Sequence, residues 1–93
     1  MRLIGQTGDI DIPYESSTIV RAGELIVAYS VNYYSSINYY SKKIVMGMYS
    51  TEEKAKKVMG MLRRVYHDAV THDNVSAFRF PKDDEVWNAS IAD

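Results

Sequence analysis

Apolar and polar residues alternate weakly over residues 1–6 and again at Ile10-Asp11-Ile12, the period of half-buried strands. Ile10 and Ile12 flank Asp11, Thr7-Gly8-Asp9 is a turn signal, and Pro13 removes a ladder donor. Residues 2–13 are therefore read as a hairpin, with Gly5-x-x-Gly8 at its turn. The β-branched run Ser17 to Ala22 and the strand-forming run Leu25 to Val31 flank Gly23-Glu24, a two-residue turn candidate, and predict a second hairpin. Ile44 to Tyr49 predicts a further strand. With no helical segment before residue 51 to carry a parallel crossover, these strands are expected to be antiparallel.

At residue 51 the period changes. Ala55, Val58, Met59, Leu62, Val65, Tyr66 and Ala69 recur at steps of three and four, one apolar stripe on a helix of about 51–68. Ser50-x-x-Glu53 reads as its capping box, and Glu52 and Glu53 suit the positive end of the helix dipole. Val75 to Phe80 predicts a closing strand with Phe78 and Phe80 on one face and Arg79 on the other. Pro81 ends it, Lys82-Asp83-Asp84-Glu85 is read as a solvated run, Val86-Trp87 as packing back, and residues 88–93 as a frayed tail. The expectation is a single α+β domain over residues 1–93: a small antiparallel sheet of about five to six strands packed against one long helix.

Composition narrows the function. Of 93 residues, 46% are hydrophobic and 25% charged, the balance of a globular domain rather than a disordered or fibrous chain. A chain this short buries only about 60–68% of its unfolded surface, so association with a second copy would help it. The absence of cysteine removes disulfides, thiolate metal sites and cysteine nucleophiles. Met1-Arg2-Leu3-Ile4-Gly5-Gln6 is followed by no apolar run of signal-peptide length, and a cytoplasmic protein is expected.

The net charge is −1, but it is unevenly spread. Residues 1–41 hold two basic and four acidic groups, residues 42–64 seven and two, and residues 65–93 two and six. The middle third can meet an anion, while the whole chain lacks the field of a DNA coater. Lys56, Gly60, Arg63 and His67 fall in one helical stripe. Gly60 in a helix interior costs about 1 kcal/mol against alanine. The stripe is read as a solvated basic face, a subunit contact or an anion site.

Asn32 to Ser41 carries four tyrosines in ten residues, either lining a hairpin or forming an aromatic platform for a base or a partner. His67 and His72 are five apart, which is wrong for a metal pair on one helix face, so His67 is placed near the helix end and His72 in a loop. Asp9 and Asp11 are placed on one strand face. No P-loop or dinucleotide fingerprint is present, and the chain does not read as an enzyme. No cofactor or metal is expected.

Three blocks, in order and covering about half the chain, carry a family resemblance. They are Met1-Arg2-Leu3-Ile4-Gly5-Gln6-Thr7-Gly8 with Ile10-Asp11-Ile12-Pro13-Tyr14-Glu15, then Tyr49 to Ala55 with Met59-Gly60-Met61-Leu62-Arg63, then Phe78-Arg79-Phe80-Pro81-Lys82-Asp83-Asp84-Glu85-Val86. Together they resemble the Thoeris anti-defence sponge family. The resemblance implies a phage-encoded, non-enzymatic protein that sequesters a cyclic nucleotide immune signal, a cyclic ADP-ribose isomer or a cyclic oligonucleotide. It also implies self-association as a dimer or hexamer, with ligand at subunit contacts. By motif it carries ligand-binding roles to Arg63 and Arg79, and to Phe78. Lys56, Asn74 and Tyr40 join them from charge and composition. Gly60 stands where the family carries an acid, and the segment Tyr66 to Ala77, which contributes to the pocket in many relatives, is short. The alternative is an interaction module that docks its basic helix or tyrosine segment on a host protein. An RNA binder is the weaker third reading, because no RNP-type motif accompanies the aromatics.

Overall fold

The computed structural model describes residues 1–34, 41–72 and 77–87. Among the described residues, six strands and one helix follow in the order β1 (Arg2–Ile4), β2 (Asp11–Pro13), β3 (Ser17–Ala22), β4 (Leu25–Tyr34), β5 (Ser41–Met48), α1 (Glu52–His72) and β6 (Ala77–Arg79), with a 3-10 turn at Asp83–Glu85. The strands form two three-stranded sheets, β2-β1-β6 and β3-β4-β5, where the sequence predicted one. The α+β class holds and the single sheet does not.

Short strands and one long-range clasp accompany the division. β1, β2 and β6 are each three residues long, and Pro13 and Pro81 sit at or just past strand ends where a ladder donor is missing. β1 leaves its sheet at Gly5, whose N–H donates to the Ile10 carbonyl at 2.8 Å. Gly8 then turns the chain with φ +85°, a conformation open to glycine. Between these glycines the chain crosses to the other sheet. The Gln6 N–H donates to the Met46 carbonyl at 2.8 Å. The Gln6 side chain donates to the carbonyls of Met48 and Pro81, both at 3.1 Å, and accepts the Met48 N–H at 3.0 Å. One glutamine thus clasps the seam between the sheets and the segment after β6.

Both predicted hairpins form. Leu3 pairs with Ile12 across β1 and β2, and Ala22 pairs with Leu25 around the Gly23-Glu24 turn. The closing strand corrects two expectations. It ends at Arg79 rather than at Phe80, and it runs parallel to β1, with Leu3 opposite Phe78. The antiparallel rule applied only before residue 51. After it, α1 supplies the length that a parallel connection needs.

The helix lies against β3 and β4. Its Ala55, Val58, Met61 and Leu62 meet Ile26, Ala28, Ile44 and Met46 of the second sheet and Leu3, Ile12 and Phe78 of the first in one buried cluster, which Phe80 and Val86 complete. Met61 was missing from the predicted stripe. The stripe is wider than one row because the helix meets both sheets. Within β5, Met46 is an extra residue against Ile26 and Val27, a bulge that sends Met46 inward and leaves Gly47 opposite Ile26. No helix among the described residues is long and apolar enough to cross a membrane.

The helix starts one residue later than the capping box predicted. Thr51 accepts the Lys54 N–H on its hydroxyl at 3.2 Å and the Ala55 N–H on its carbonyl at 3.3 Å. The third helical position is then Lys54, so no carboxylate returns the bond. Ser50 instead gives its N–H to Asp83 at 2.7 Å. Thr51→Ala is expected to destabilise the domain by about 1 kcal/mol in urea denaturation, with Ser50→Ala costing less. The reverse order would move the cap back to Ser50.

Asp83 is no solvated bystander. It also takes an ion pair from Lys54 at 3.1 Å, tying the 3-10 turn to the first turn of α1. The Ser50 N–H and then Lys54 hold its carboxyl below the usual value. A depressed folded pKa stabilises the fold above the unfolded value, about 3.9, and that contribution disappears as pH falls through the folded value. Asp83→Asn is therefore expected to flatten part of the acid limb of stability below about pH 4, read by denaturation at stepped pH. An unchanged acid limb would remove Asp83 from this account.

Candidate functional site

Two concavities meet at one arginine. The first, about 330 Å3, lies between α1 and the segment joining β2 to β3, and is lined by residues that include Tyr14, Glu15, Ile19, Met59, Arg63 and Tyr66. Pro13 ends β2, and the Tyr14 N–H then donates to the Met1 carbonyl at 2.8 Å, which turns Tyr14 toward the helix. There its ring stacks on Tyr66 with centroids 4.2 Å apart and planes 28° apart. Glu15 is engaged by the Met1 amino group at 2.8 Å, and this bond, with a backbone one, lowers its pKa.

The second concavity, about 440 Å3, is floored by Gly60 and edged by Lys56, Lys57, Arg63 and Arg64. The missing side chain of Gly60 makes the floor: the Arg63 guanidinium passes 3.9 Å from where its Cβ would stand. Lys56 is paired with Glu52 at 3.3 Å, one helical turn earlier. Lys57 sits 5.6 Å above the ring of the exposed Trp87. Arg63 is common to both hollows and is exposed. It places a positive fork between an aromatic pair and a cationic cup. Such an arrangement can hold an anion that carries a planar group.

The predicted site residues separate. Arg63 and Lys56 come together across Gly60, while His67, from the same stripe, lies outside the cup. Arg79 is exposed on β6, its guanidinium nitrogen 3.5 Å from where a Gly8 Cβ would stand, and it lines neither hollow. Phe78 is buried in the core, edge-on to Phe80 at 5.2 Å and 84°, so its faces are taken by packing. Tyr40 and Asn74 lie outside the described residues, as do the heart of the tyrosine-rich segment and the 88–93 tail.

His72 closes α1 rather than standing in a loop, and its Nδ1 lies 2.9 Å from the Thr71 hydroxyl. Asp9 falls in the turn before β2, so it does not share a strand with Asp11, which pairs with Arg2 at 2.7 Å. Among the described residues no three His, Asp or Glu side chains gather as metal ligands would. Tyr49 is buried and gives its hydroxyl to the Pro81 carbonyl at 2.8 Å; burial, with the nearby Asp83 charge, pushes its phenol far above the usual value.

Tyr14 and Tyr66 were missed as a pair. Tyr66 stands three residues beyond Arg63 on one helical face, which was a usable signal, but nothing local joins it to Tyr14. What fold and site define is a small α+β domain with a cationic, aromatic-edged helix face. Comparison with known protein families, with curated proteins and with solved structures gives no match.

Proposed function

We propose that this chain is a non-enzymatic binding protein that sequesters a cyclic nucleotide signal of the cyclic ADP-ribose type, in the manner of the Thoeris anti-defence sponges it resembles. The observation that carries the reading is the position of Arg63, between the Tyr14–Tyr66 stack and the cup around Gly60. A pyrophosphate needs charge-assisted donors, which Arg63, Lys56 and Arg64 supply, and an adenine needs an apolar face beside them. A hollow of about 330 Å3 is at the small end of ligand pockets, in keeping with a compact cyclic nucleotide. Self-association belongs to the same reading, because a site that used Arg79 together with Arg63 would be assembled between copies.

The test is thermal unfolding with a panel of cyclic ADP-ribose isomers and cyclic di- and trinucleotides. Ligand at a hundredfold excess over Kd should stabilise the fold by about 2.7 kcal/mol, which is about 10 °C or more in Tm for a domain of this size. The shift should be lost in Arg63→Ala and reduced in Tyr66→Ala. No shift with any member of the panel would overturn the reading. It would favour a protein-docking module instead, for which the observation is the exposed Trp87 beside the basic face.

A further inference from the structure

The second sheet keeps an open edge. β5 is its last strand, and the helix lies over β3 and β4. Alternate residues of an edge strand turn their N–H and C=O groups away from the sheet. The parity is set on β4, where Leu25 closes the two-residue turn with Ala22 and so bonds toward β3. The residue facing Leu25 on β5 is Met48, which therefore turns outward. There the Gln6 side-chain amide takes up both the N–H and the C=O of Met48, as a neighbouring strand would. The same parity turns out Val45, opposite Val27, and Lys43, opposite Tyr29. Among the described residues no hydrogen bond closes these two positions on their outer side.

The open stretch ends in a hollow of about 370 Å3, lined by Gln6, Thr7, Val45, Gly47 and Met48. Val45 is 43% and Met48 61% exposed, so its apolar walls stand open to water. Lys43, two residues before Val45 and on the same face, is exposed. Among the described residues no carboxylate pairs with it. Residues 25–51 contain no Asp or Glu, so β4 and β5 bring none of their own. A lysine on a strand edge repels a strand that carries cations and draws one that carries a carboxylate.

We propose that the free edge of β5 is a docking site for an extended acidic peptide of a protein partner, which adds a strand antiparallel to β5. The peptide exchanges backbone hydrogen bonds with Val45 and Lys43, and its side chains supply the specificity. Directly opposed residues share a face, so an apolar residue opposite Val45 lies beside the hollow, where the flexible Met48 side chain can close on it. A carboxylate two residues further on lies opposite Lys43. A second copy of β5 is a poorer occupant, because it brings lysines and no carboxylate whatever its register. Gln6, bonded to the Met46 carbonyl, stops the added strand at that end, so the match is short. The site is separate from the two hollows that meet at Arg63, which no residue of β5 lines, and does not rest on the nucleotide reading.

Fluorescence anisotropy of the full chain with a capped, labelled peptide of the order Val-Thr-Glu-Thr-Glu tests it. The peptide should bind saturably, and amide exchange at Lys43 and Val45 should slow in the complex. A peptide with lysine in place of glutamate should bind about tenfold more weakly, and Lys43→Glu should reverse that preference. Lys43 is exposed, so the fold tolerates the change. Methylating the backbone nitrogens of the peptide's valine and first glutamate removes donors without altering charge, and should abolish binding. No saturable binding up to millimolar peptide overturns the proposal. So does equal binding of the lysine peptide or of the methylated one. Protection of the Lys43 and Val45 amides that rises with protein concentration in the absence of peptide would give the edge to a second copy, and overturns it as well.

Discussion

Phe80→Ala is expected to destabilise the domain by about 3–5 kcal/mol, enough to unfold a large share of it under mild conditions. The ring is fully buried and is the largest such side chain among the described residues. It meets Phe78 edge-to-face, and its N–H reaches the Ile4 carbonyl at 3.0 Å, so the residue is held by backbone as well as by packing. Neighbours held in two sheets and a helix cannot all close over the space that it leaves. At about 0.05–0.15 kcal/mol per residue, a 93-residue chain has a total stability of only about 5–14 kcal/mol. The measurement is urea denaturation by far-UV circular dichroism, with Phe80→Leu as the milder variant that remains folded. A loss under about 1 kcal/mol for Phe80→Ala would mean that the ring is not part of the core.

Gly47→Ala should have the next largest effect, about 1–3 kcal/mol, although it adds a single methyl group. That methyl carbon would stand 2.7 Å from the Tyr49 Cε2 and 2.9 Å from its hydroxyl oxygen. The ring has nowhere to retreat. It is 3% exposed, and its hydroxyl is bonded to Pro81, whose carbonyl Gln6 also holds. The clash therefore strains the connection between β5 and the segment after β6. A double-mutant cycle isolates the cause: in a Tyr49→Leu background the cost of Gly47→Ala should shrink markedly. An equal cost in both backgrounds would place the effect in the backbone instead.

Where an element is set by neighbours in the chain, the sequence announces it. The first hairpin follows from period-two alternation around Thr7-Gly8-Asp9, the second from the strand-forming runs on either side of Gly23-Glu24, and α1 from its apolar stripe. Features set by distant partners were hidden. Ser50 and Thr51 are both good caps, and the choice falls to Thr51 because Asp83 takes the Ser50 N–H from far along the chain. The split into two sheets depends on where Gln6 sends its amide, which no periodicity encodes. In the candidate site, Arg63 was legible from helical spacing and charge. The Tyr14 ring beside it was not, because only the turn after Pro13 swings it there. Phe78 and Phe80 were correctly placed on one face, but one short strand could not say whether that face met ligand or core.

The glutamine clasp has a consequence for how the chain assembles. Its bonds join positions 42 and 75 residues apart, whereas the hairpin of β3 and β4 pairs near neighbours. Closing such long loops gives up chain entropy before any contact compensates, so the seam is the least local part of the structure. The same bonds report on its opening. The amide proton of Gln6, held by the Met46 carbonyl across the seam, becomes free to exchange with solvent when the two sheets part, so deuterium uptake there follows that separation.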